Sequence, residues 1–303
     1  MSAISIPVLK LPELPRESVF KKMTVENIIH VSQLSEKARN AIHLARIVPK
    51  YVLITCYQEH GGLTMRFFTG PELNWSFKKR ENEVVRDATF REMVAADQVQ
   101  GDGSVDEVKL LTIGADWRSA MLIVLKEINH LFHIKILDSC ILDITGDIDE
   151  ILRDELIQQI DRCKSLSLCI MDPGQNTLQL TPLLNKIQVE HTLRISNQSE
   201  NTITFNQQFP MEKLVFGPRH NWSSIPLQYF TNITHLHFLT ECHVPLVDLN
   251  SLLREWKQGG LPTLQLIEHL GVGWRADHTY MSSLLEGLED QEWDTAREQT
   301  FAM

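Results

Sequence analysis

The chain has 303 residues, of which 43% are apolar and 22% charged, a globular composition with room for two domains that excludes a disordered or fibrous protein. Its net charge of −10 excludes a nucleic-acid binder that works through overall electrostatics. Five cysteines without regular spacing point to a reducing compartment, cytoplasm or nucleus; no stretch reaches the ~20 apolar residues of a membrane helix, and the N-terminus lacks a signal peptide's apolar core.

Residues 7–46 predict three short helices. Pro15 suits the first position of one, with Val19, Phe20 and Met23 on a common face. Thr24 suits the N-cap of a second, whose apolar side is Val25, Ile28 and Ile29. Ser35 suits the N-cap of a third, in which Ala38, Ala41, Ile42 and Ala45 recur at helical spacing. A unit of ~40 residues without disulfide or metal is marginal alone. Here Leu9, Leu11, Pro12, Phe20, Met23 and Ile28 exceed what the small-faced third helix covers, so an apolar excess is left for a partner. The first fifty residues hold eight Lys and Arg against four acids, a net of +4 that suits an acidic partner.

This stretch resembles the F-box, most closely the nematode type. The residues that carry the likeness are Leu11-Pro12, Val19-Phe20, Met23, Ile28-Ile29 and Val31-Ser32-Gln33-Leu34-Ser35. The resemblance implies docking on the Skp-type adaptor of a cullin-RING ubiquitin ligase, with Leu9, Leu11, Pro12, Val19, Phe20, Met23 and Ile28 as the adaptor contact.

Residues 51–57 and 63–68 are rich in β-branched and aromatic residues and flank Glu59-His60-Gly61-Gly62, a hairpin pattern. Residues 71–79 predict a further strand through Leu73, Trp75 and Phe77. Residues 78–106 are charged and weakly periodic, and Gly101-Asp102-Gly103-Ser104 is the best linker. From Trp117 a helix follows, with Met121, Leu122, Leu125, Ile128 and Phe132 along one face.

Strand and helix patterns then alternate to about residue 268, with an L-x-x-L-x-L core that recurs. It is seen at Leu131/Ile134/Ile136, Cys163/Leu166/Leu168, Met211/Leu214/Phe216, Ile233/Leu236/Phe238 and Leu261/Leu264/Leu266, with half a copy at Leu193/Ile195. Helices are expected within residues 149–162 and 248–257. The Asn or Cys that normally follows such a core is missing at every copy, so the expectation is an irregular arc. The outward positions are His133 and Lys135, Ser165 and Ser167, Thr192 and Arg194, Lys213 and Val215, His235 and His237, Thr263 and Gln265, none of them acidic. They predict a target-binding face led by Lys135, Arg194, Lys213, His235 and His237, suited to an acidic or phosphorylated segment with Arg194 as bidentate partner.

Met211-Glu212-Lys213-Leu214, Trp222, Ile233-Thr234-His235-Leu236 and the run Asp248-Leu249-Asn250-Ser251-Leu252-Leu253-Arg254-Glu255-Trp256 are similar to the F-box-associated domain of the nematode F-box family. Leu252 and Arg254 depart from its Phe and Lys.

No phosphate-cradling glycine motif and no nucleophile elbow occurs. His235 and His237 share one strand face that zinc could use, but Cys242 and His243 follow too irregularly to complete a recognised spacing, so the expectation is exposed strand histidines and no metal. Asp116-Trp117-Arg118 and Arg153-Asp154-Glu155 are expected at helix ends. The expected architecture is α/β: an F-box in residues 1–50, a hairpin and charged connection in 51–115, a leucine-rich-repeat-like arc in 116–270 and an acidic tail in 271–303. The expected role is a non-catalytic substrate receptor without cofactor or metal, bound to the Skp-type adaptor, through it a cullin, and to a target protein. A leucine-rich-repeat-like interaction scaffold with no ligase link is the alternative.

Overall fold

The computed structural model describes residues 8–67, 72–79, 107–114, 116–172, 177–199, 202–217, 232–239, 246–269, 286 and 300–302. It is a mixed α/β protein of two compact units: residues 1–140 with 155–159, and residues 141–154 with 160–303. The expected break near residue 115 does not coincide with this division.

The first unit begins with three helices, α1 (Glu13–Lys22), α2 (Val25–Leu34) and α3 (Glu36–Leu44). The expected caps are present. Thr24 accepts from the Asn27 N–H at 3.3 Å and Ser35 from the Ala38 N–H at 3.1 Å. α1 starts at Glu13, so Pro15 is its third residue, where its missing N–H is still not needed. Ala38, Ala41, Ile42 and Ala45 are buried, which lets α3 pack closely.

Strands β1 (Tyr51–Cys56), β2 (His60–Arg66) and β3 (Glu72–Lys79) are antiparallel neighbours, and β4 (Glu107–Gly114) runs parallel to β3. Their alternation buries Val52, Ile54, Leu63, Met65, Leu73, Trp75 and Phe77 on one face. Helix α4 (Trp117–Phe132) packs on β2, β3 and β4. Asp116 caps it, accepting from the N–H groups of Arg118 at 3.0 Å and Ser119 at 3.3 Å. A Cβ on Gly61 would lie 2.4 Å from the Trp117 ring, so only glycine allows the helix to settle this closely on the sheet.

The first expected repeat is not a strand. Leu131 belongs to the last turn of α4, and His133 ends the helix in the left-handed region at φ 50°. The strand starts only at β5 (Leu137–Thr145). The helical face that runs through Met121 and Phe132 also claims Leu131, and this outweighs the short alternation of Ile134 and Ile136. His133 and Lys135 are therefore connector residues and lie on no strand face.

In the second unit, β6 (Arg162–Asp172), β8 (Gln188–Asn197), β10 (Lys213–Phe216), β11 (His235–Phe238), β12 (Leu266–His269) and β13 (Thr300–Ala302) are successive parallel neighbours. Short helices α5 (Ile148–Arg153), α6 (Glu155–Gln158, in the first unit) and α7 (Thr181–Lys186), a two-stranded pair of β7 (Thr177–Gln179) and β9 (Thr202–Thr204), α8 (Leu246–Lys257) and a 3-10 turn at Val8–Lys10 of the first unit complete the described elements. The shared buried layer is Leu166, Leu193, Leu214, Leu236 and Ile267, followed by Leu168, Ile195, Phe216 and Phe238. Cys163 and Leu166 are both fully buried although three residues apart, because β6 shifts register between Cys163 and Ser165.

The last repeat is out of phase with expectation. Leu264 donates its N–H to the Leu261 carbonyl at 3.2 Å, a turn that uses up residues 261–264. The strand begins two residues later, and Leu236 pairs with Ile267. The outward residues of β12 are then Leu266 and Glu268, while Thr263 and Gln265 precede the strand. Most of the expected 78–106 region, the Gly101–Ser104 linker, Trp222, Cys242, His243 and nearly all of the acidic tail lie outside the described residues.

Candidate interaction surfaces

The N-terminal helices offer one surface. Of the expected adaptor contacts, Leu9, Leu11, Val19 and Met23 are half-buried and Pro12 is exposed. Phe20 and Ile28 are corrected: at 0% and 1% exposure they are core residues with no surface left for a partner. Three side chains missed on sequence grounds are the most open instead: Leu14 at 77%, Leu34 at 75% and Leu44 at 61% exposure. Each stands in the first or last turn of its helix and out of phase with the buried stripe. That was the legible sign. Arg16, Glu36, Lys37, Asn40, Ala41 and Leu44 line an open groove of about 420 Å³.

The module is held to α4 by a polar seam. Arg39 pairs with Glu127 at 2.7 Å. The His43 ring stacks on His130 with centroids 4.6 Å apart and lies 4.1 Å from His133. His43 Nδ1 is 2.6 Å from the His130 carbonyl, and His133 Nε2 is 2.9 Å from the His43 carbonyl. Burial, then Arg39, His43 and His133, hold His130 below its usual pKa against the opposing pull of Glu127. His133, expected to face outward on a strand, is thus a helix cap and a seam residue.

The second surface is the outward face of the parallel strands. Its register places Ser165, Thr192, Lys213, His235 and Leu266 side by side, then Ser167, Arg194, Val215, His237 and Glu268. Arg194, Lys213, His235 and His237 therefore do share a face, as expected; Lys135 does not. All are part-buried except Val215, which is 6% exposed. The expectation of a row without acids fails at Glu268. That carboxylate lies 3.2 Å from His237 Nε2. Burial is the main force lowering the His237 pKa, and Lys213 and Arg194 add to it while Glu268 opposes.

The thiols nearby are poorly suited to nucleophilic or metal chemistry. Burial with Glu190 pushes Cys163 up to about 12, and burial with Asp143 raises Cys169 against Arg194, so both stay protonated at neutral pH. Among the described residues, no group of three or more His, Cys, Asp or Glu converges on a metal position, and no helix is long and apolar enough to cross a membrane. No family model matches the chain, and no curated protein or solved structure matches it either.

Proposed function

We propose that this chain is a substrate-receptor subunit of a Skp–cullin–F-box ubiquitin ligase. Its N-terminal helices are the F-box, and its parallel-strand unit is an irregular leucine-rich-repeat-like domain that holds the target. What supports the reading is one conjunction. A net-basic three-helix module leaves Leu14, Leu34 and Leu44 open, and a separate unit carries in-phase apolar strands with a part-exposed polar row. The chain performs no bond chemistry in this reading. It raises the effective concentration of target lysines beside a conjugating enzyme, in the cytoplasm or nucleus.

The adaptor contact consists of Leu9, Leu11, Pro12, Val19 and Met23 together with Leu14, Leu34 and Leu44. Each large apolar side chain that a partner covers is worth roughly 1.5–3 kcal/mol. The Leu11→Ala/Pro12→Ala double variant is expected to bind the purified Skp-type adaptor at least tenfold more weakly while the chain stays folded. Undiminished binding contradicts the assignment. Target capture is expected to depend on Arg194 and Lys213. If an interaction scaffold with no ligase link is the correct reading, the adaptor does not co-purify at all.

A further inference from the structure

The polar row carries charges of both signs that do not neutralise each other. Arg194 of β8 and Glu268 of β12 stand on one rung, with Val215 and His237 between them. Three strand spacings of ~4.8 Å separate their backbones by about 14 Å. Lys213 stands on the neighbouring rung of β10, diagonal to Arg194. Among the described residues neither Arg194 nor Lys213 is in an ion pair, although both are part-buried. Among the described residues Glu268 pairs only with His237, whose burial lowers its pKa and so weakens the pair, and 33% of the Glu268 side chain is exposed. Part-buried charges without partners are costly unless something else supplies the partner.

We propose that the row binds an extended peptide lying across the strands, with an anionic side chain at Arg194 and Lys213 and a basic side chain about four residues away at Glu268. An extended chain covers ~3.3–3.6 Å per residue, so four residues match the separation of the two poles. A nucleic acid offers no cationic group for Glu268 and meets a chain of net charge −10. The inference rests on the reading of this row as the target face, and it replaces an acid-seeking surface with a two-signed one.

The test is fluorescence anisotropy of the full chain with labelled 12-residue Gly/Ser peptides carrying Glu and Arg four apart, two Glu, or two Arg. The mixed peptide is expected to bind at least tenfold more tightly than either of the others. Glu268→Gln is expected to erase its advantage over the two-Glu peptide, and Arg194→Gln its advantage over the two-Arg peptide, with both variants melting like the parent. Equal binding of the mixed and two-Glu peptides, or an unchanged preference in Glu268→Gln, overturns the two-signed site. Absence of binding to all three at millimolar concentration overturns the row as a peptide face. Adaptor co-purification of the same variants is expected to be intact throughout, so failure here is distinguishable from failure of the ligase reading.

Discussion

Trp256 is 1% exposed and donates its indole N–H to the Leu264 carbonyl at 2.8 Å. It thus ties α8 to the turn that sets the phase of β12. Trp256→Ala is expected to cost about 3–5 kcal/mol, read as a lower urea midpoint. A variant as stable as the parent contradicts the assigned structural role. A helix was expected within residues 248–257, and its Leu249, Leu252, Leu253 and Trp256 are all buried. Helical spacing could not decide what covers an apolar residue. Phe20 and Ile28 looked surplus to their own helices, yet both are fully buried. Phe20→Ala is therefore expected to destabilise the module by about 3–5 kcal/mol, whereas Leu14→Ala leaves the melting temperature unchanged and weakens adaptor binding.

Helix starts were legible because their signals are local: Thr24, Ser35 and Asp116 each cap through their own side chain. Strand phase was not, because it depends on bulges and turns. One register shift in β6 and one turn before β12 change which side chains face outward. The seam between α3 and α4 was also invisible, since it joins residues 87 to 90 positions apart. It makes a pH prediction. His130 faces His43, His133, Arg39 and Glu127, and its folded pKa lies below the unfolded value. The unfolded chain then binds more protons, so the stability present at pH 7 is lost as pH falls through about 6.5 and below. His130→Gln is expected to show a shallower loss of urea midpoint between pH 7 and pH 5 than the parent. An identical pH dependence contradicts a contribution from this ring.

Across the whole chain, charge is uneven. The first fifty residues carry +4 within a total of −10. The proposed adaptor is reached by the basic end, and the proposed target by the one rung that keeps Arg194 and Glu268 apart. Both predicted surfaces can be lost separately: changes at Leu11 and Pro12 spare target capture, and changes at Arg194 spare adaptor binding. The most direct measurement is calorimetric titration of the purified full chain with the purified Skp-type adaptor. A saturable one-to-one complex, weakened at least tenfold by Leu11→Ala/Pro12→Ala and untouched by Arg194→Gln, is the predicted result. No heat of association with the parent chain contradicts the ligase reading outright.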